Sequence, residues 1–93
     1  MDLKEKFTKE LATEEWIVMA PHFKRDCLLM IAKDTDMVTV AVALATDNAP
    51  LIQQLLTEQK ISRPSLVDTQ QWEDNKTVFE FLIVQPFVIA RPV

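Results

Sequence analysis

The chain has 93 residues, 48% apolar and 26% charged, with a net charge of −4 and no glycine. That length supports one α+β-sized domain, residues 1–93, around one modest core. Charge of both signs is interspersed, five basic against six acidic groups in residues 1–26 alone, so no basic stripe marks a nucleic-acid or anionic-membrane surface. Without glycine, neither a phosphate-cradling loop nor a dinucleotide turn can be built, because both need backbone lacking a Cβ against the phosphates. No cofactor is implied. The longest apolar run, Phe81 to Ala90, is interrupted by Gln85-Pro86 and falls short of the roughly 18 residues that a membrane span needs. The N-terminus alternates charges and lacks the apolar centre of a secretory signal. One cysteine, Cys27, forms no internal disulfide, and no Cys/His cluster offers a zinc site. A reducing, cytoplasmic setting is expected. Turns with positive φ must fall to Asn or Asp, and Asp34, Asp36, Asp47, Asn48 and Asn75 stand at predicted breaks.

Leu3, Phe7 and Leu11 recur at helical spacing among Lys and Glu, which predicts a first helix with a narrow apolar stripe and a Glu5–Lys9 pair. Thr13 is placed to cap a second short helix carrying Trp16, Ile17 and Ala20, which should end or kink at Pro21. Cys27 to Ala45 holds two apolar runs flanking Lys33-Asp34-Thr35-Asp36. This pattern predicts two strands and a tight turn. On the second strand Val38, Val40, Val42 and Leu44 would share one face, and Thr39, Ala41, Ala43 and Ala45 the other. Asn48 with Pro50 starts a third helix, with Leu51, Ile52, Leu55 and Leu56 on one side. Ser65 and Asp68 form a capping pair for a helix ending near Glu73. Thr77 to Val84 returns to strand, and Phe87 to Ala90 continues it through a bend at Gln85-Pro86. The result is an α+β fold, a small antiparallel sheet of three to four strands with paired helices packed on one face.

The chain as a whole resembles a known family. The features that carry the resemblance are the leucine-bearing N-terminal helix, Trp16, Pro21-His22-Phe23, Met37 to Ala45 followed by Asp47, Arg63-Pro64-Ser65, Trp72, and Ile83-Val84-Gln85-Pro86-Phe87-Val88. Together they look like the short bacterial proteins grouped as domain of unknown function 2288. In that family glycine is usual at the turns where this chain has Asp26 and Gln59. The resemblance implies a small bacterial cytoplasmic protein. It brings no assigned activity and no functional residues.

Few residues offer chemistry. His22 is the one candidate general base, with Asp26 within reach of a hydrogen bond, and Cys27 follows Lys24 and Arg25. A turn histidine and a core thiol are the simpler readings. Asp34, Asp36 and Asp47 could gather carboxylates for a cation, but the expected hairpin puts Asp47 at the far end of a strand from the other two. Two readings follow. In the first, the protein is non-enzymatic and binds itself or another protein, as a dimer in the simplest case. Its contacts would be Ala41 and Ala43 on the alanine face, Trp72, and Pro86 and Phe87 on an apolar C-terminal edge. Large residues at Ala41 or Ala43 should then disrupt core or association. In the second, a small enzyme or ligand-binding protein uses a pocket near His22, Cys27 and Trp16.

Overall fold

The structure, a computed structural model, describes residues 2–93. In chain order the elements are α1 (Leu3–Glu10), β1 (Ala12–Glu15), α2 (Trp16–Lys24), β2 (Leu28–Ile31), α3 (Met37–Ala45), α4 (Ala49–Thr57), β3 (Ile61–Ser62), α5 (Leu66–Asn75), β4 (Val78–Val84) and β5 (Phe87–Pro92). The five strands form one mixed sheet in the order β1-β4-β5-β2-β3. All neighbours are antiparallel except β2 and β5, which run parallel with Leu28 opposite Val88. The fold is α+β as the sequence indicates, with more strands than expected and one parallel pair.

Helices cover both faces of the sheet, and strand alternation shows why. Along β5, Ile89 enters one core with Phe7, Val40, Leu55 and Leu82, while Val88 and Ala90 enter a second with Trp16, Met19 and Phe79. β2 divides likewise, with Ile31 on the first side and Leu28 and Met30 on the second. A strand buried on both faces reads as a continuous apolar run rather than an alternation. FLIV and FVIA accordingly supply apolar residues to both cores. The first layer is α1, α3 and α4; the second is α2 and α5.

The expected second strand of a hairpin, residues 37–45, is helix α3. Met37, Val38, Val40, Ala41 and Ala43 are all buried in it. A helix apolar on nearly every side shows no amphipathic stripe, and its valines can be read as a strand face by coincidence. Thr39 Oγ1 donates to Asp36 Oδ2 at 2.8 Å across the first turn. Ala41 and Ala43 are therefore core positions against neighbouring elements and present no docking face.

Three further expectations are corrected. Thr13 caps no helix: residues 12–15 pair with β4, Ala12 opposite Phe81 through Glu15 opposite Val78, and α2 begins at Trp16. All four β1 side chains are exposed, so no burial pattern announces the strand. α2 also runs on through Pro21 to Lys24. Pro21 deprives the Ile17 carbonyl of its helical partner, and Ile17 is exposed, where water can serve that oxygen. Finally, Gln85-Pro86 is a two-residue hairpin turn with a cis peptide, not a bend: Val84 faces Phe87 and Phe79 faces Pro92. β4 and β5 thus lie inside the sheet, and the anticipated apolar C-terminal edge does not exist.

The absence of glycine is met at the helix ends. Asp26, Asp47, Gln59 and Lys76 take positive φ of 60°, 54°, 60° and 50°. Each sits just past a helix, and the next residue closes the turn back onto it: Cys27 N–H to His22 O, Asn48 to Ala43, Lys60 to Leu55, and Thr77 to Trp72, at 2.8–3.0 Å. These are Schellman closures, which glycine usually serves because it has no Cβ to clash. Asp47 was expected there. Asp36 and Asn48 instead hold negative φ as N-terminal caps, and Asp34 and Asn75 are not among the positive-φ residues.

Arg91 ties the sheet to the loop before α3. Its Nη1 donates to the Thr35 carbonyl at 2.6 Å and to those of Ala32 and Lys33 at 3.3 Å. Its Nη2 meets Glu80 Oε1 at 3.2 Å across the β4–β5 ladder.

Candidate functional site

The second layer holds a cleft of about 360 Å³ between α2 and α5. Its α2 side is Trp16, Ile17, Ala20, Phe23 and Lys24, with Glu15 at the helix start. Thr69 and Glu73 of α5, and Lys76 just beyond it, complete the lining. Beneath lies an aromatic cluster. Trp16 has its ring centroid 5.2 Å from Trp72, 5.8 Å from Phe79 and 6.1 Å from Phe23, and Trp72 meets Phe79 edge-on at 5.0 Å. Such tilted and T-shaped contacts suit the ring quadrupoles and fix the floor rigidly. Trp16 is buried and Trp72 half-buried, so both tryptophans serve packing first.

Local sequence dictates both walls. The α5 wall starts where the Ser65 hydroxyl accepts from the Asp68 amide at 3.1 Å, the cap its Ser-x-x-Asp spacing announces. The α2 wall starts where β1 ends: the Trp16 amide donates to the Thr77 carbonyl at 3.0 Å. The cleft mixes apolar and charged lining, and its Ile17 is 76% exposed. Leu66, outside the lining at the start of α5, is 75% exposed. Val67 and Val18 are exposed as well.

The expected His22–Cys27–Trp16 pocket is not assembled. Trp16 lines the cleft, whereas His22 and Cys27 do not. The Cys27 thiol donates to the His22 main-chain carbonyl at 3.3 Å, not to the imidazole, and is half-buried at the end of α2. Asp26 turns to Arg63 instead of His22: Arg63 Nη1 reaches its carboxylate at 2.6 Å and its carbonyl at 3.0 Å. The aspartates of the loop are likewise engaged locally. Asp34 pairs with Lys60 at 2.6 Å, and that hydrogen bond and charge hold its carboxyl below the usual range while raising Lys60. Among the described residues no three His, Cys, Asp or Glu side chains gather as a metal site, and the Glu5–Lys9 pair is not among the ion pairs found.

Pro86 is exposed at the hairpin tip, and Phe87 is half-buried. Phe87 lines a separate shallow groove of about 340 Å³ with Leu29, Leu44, Ile52, Leu56 and Arg63. Phe87 and Trp72 therefore belong to different faces. The residues that sequence reasoning missed are Ile17 and Leu66 as exposed apolar residues, and Glu15, Lys24, Glu73 and Lys76 as the charges of the cleft. A helical plot of α5 pairs Leu66 with Glu73, but α2 and α5 meet only through tertiary packing.

Among the described residues no helix is long and apolar enough to cross a membrane. No curated protein matches the chain. The solution structure of PA1075 from Pseudomonas aeruginosa, determined by NMR, is similar, with 26% identity and a TM-score of 0.82 over 96% of this chain and 82% of that one. The model of the family described as protein of unknown function (DUF2288) matches residues 2–92. On that match, which spans nearly every residue, this chain belongs to the DUF2288 family.

Proposed function

We propose that the protein is a non-enzymatic interaction module that binds protein through the α2–α5 face. The observation that carries this reading is Ile17, about three-quarters exposed in the lining of the cleft, with Leu66, equally exposed, at the start of the helix that forms the opposite wall. Isolated exposed apolar residues are common, but several large ones around one concavity mark an association site. The aromatic floor suits the role, since a packed platform loses little entropy when a partner settles on it. The small bacterial cytoplasmic character implied by the family resemblance belongs to this reading as well.

Purification of the tagged chain from a bacterial lysate, with native mass determination of the eluate, tests it. The wild-type chain should elute with a stoichiometric second chain, its own or another. Ile17→Glu and Leu66→Glu should elute alone while melting like the wild type. A bare wild-type monomer, or a complex indifferent to both substitutions, contradicts the proposal.

A further inference from the structure

We infer that the groove lined by Phe87 binds a free α-amino acid with an apolar side chain; it lies apart from the α2–α5 face and does not depend on the interaction reading. Three strands meet there. β2 and β5 run parallel and start side by side, with Leu29 opposite Ile89, and β3 runs against β2 to finish at Ser62. By strand alternation Leu29 lies on the side of Ile31, and Phe87 on the side of Ile89, both facing the first layer. Leu44 of α3, and Ile52 and Leu56 one turn apart on α4, line the groove with them. Past Arg63-Pro64 the chain leaves for α5 in the other layer.

The groove is thus open and largely apolar. Leu56 is 47% exposed, and Leu29, Leu44, Ile52 and Phe87 are half-buried. Its volume, about 340 Å³, falls within the roughly 300–1,000 Å³ of small-molecule sites, which are apolar with a few placed polar groups. Here two of those groups carry opposite charge, Arg63 and Asp47. They do not pair with each other: Arg63 meets Asp26, and Asp47 enters no ion pair among the described residues.

Asp26 holds the Arg63 guanidinium in one direction, its carboxylate at 2.6 Å and its carbonyl at 3.0 Å both on Nη1. Nε and Nη2 of Arg63 donate to no group among the described residues. Those two nitrogens form the side of the fork that grips a carboxylate with parallel bonds. A purely apolar ligand would strip water from both charges without return. An anion alone would meet the Asp47 carboxylate, and a cation alone the Arg63 guanidinium. An α-amino acid answers both, carboxylate to Arg63 and ammonium to Asp47, while its apolar side chain takes the surface of Leu29, Ile52 and Phe87.

Calorimetric titration of the full chain with L-leucine and L-phenylalanine tests the site, beside isocaproate, which lacks the ammonium group, and isoamylamine, which lacks the carboxylate. The two amino acids should bind in the millimolar range or tighter, and each single-charge compound on the order of tenfold more weakly. Asp47→Asn should lose the preference for leucine over isocaproate and keep that over isoamylamine; Arg63→Gln should do the reverse. Asparagine tolerates the left-handed backbone of Asp47, φ 54°, and both positions are exposed, so melting should be unchanged. Ile17→Glu, in the other layer, should bind leucine like the wild type. No binding of either amino acid, equal binding of the single-charge compounds, or variants that leave both preferences in place each overturns the inference and leaves the α2–α5 reading standing. Loss of leucine binding in Ile17→Glu overturns it as well.

Discussion

Trp16 and Trp72 meet in a tilted contact, 5.2 Å centroid to centroid at an interplanar angle of 51°. They join the first residue of α2, which lines the cleft, to the last turn of α5. Truncating Trp72 should remove the support behind Trp16. Because Trp72 is half-buried, Trp72→Ala should lower unfolding free energy by about 2–3 kcal/mol, and the fully packed Trp16→Ala by about 3–5 kcal/mol. Urea denaturation measures both. A loss below half a unit for Trp16 would mean that the cluster is not formed in solution.

Arg91 should resist its conservative replacement. One planar guanidinium serves the Thr35, Ala32 and Lys33 carbonyls and the Glu80 carboxylate together. An ammonium at the end of a lysine cannot span the same acceptors. Arg91→Lys and Arg91→Ala are both expected to cost about 1.5–3 kcal/mol. Amide exchange in the turn before α3 should quicken in each. If Arg91→Lys matches the wild type, the clamp has no energetic weight.

Gln59 holds a left-handed conformation, φ 60°, that a side chain disfavours. Gln59→Gly should stabilise the chain by about 1 kcal/mol, since the left-handed region costs a non-glycine residue about 1–2 kcal/mol and glycine returns part of that as unfolded-state entropy. For a domain this size the melting temperature should rise by about 4–8 °C. A fall instead would show that the Gln59 turn is not left-handed.

The Asp34–Lys60 pair gives a pH signature. Lys60 lowers the Asp34 carboxyl from its ordinary 3.8, so the folded state holds a proton there less readily than the unfolded chain. The contribution is complete above that ordinary value and is lost as pH falls through the lowered one. The stability gap between wild type and Asp34→Asn should thus be constant across neutral pH and close in acid. Lys60 is raised, so the same gap should also shrink in strong alkali. A gap that widens on acidification would contradict the pairing.

How much of this could be read in the sequence depended on where each element buries its side chains. α4 and α5 were legible because their caps are local chemistry: Asn48 and Ser65 accept from Leu51 and Asp68 three residues on. α1 showed its stripe because only Phe7 and its neighbours turn inward. α3 was not legible as a helix, since helices and strands enclose it and leave no polar face. β1 was invisible because the exposed residues Ala12, Thr13, Glu14 and Glu15 become a strand only when β4 lies beside them. The pairing of β5 with β2 likewise depends on chain crossing rather than on any local signal. For the site, Trp16 and Trp72 were singled out from sequence, but the cleft joins helices distant along the chain. Ile17 and Leu66 resemble core residues until the fold turns them outward.

The most direct test of the central claim is native mass determination of the tagged wild-type chain eluted from a bacterial lysate, beside Ile17→Glu. The account predicts a stoichiometric second chain with the wild type and none with an Ile17→Glu chain of unchanged fold. A wild-type chain that elutes bare, or an Ile17→Glu chain that holds the same partner equally well, would contradict it.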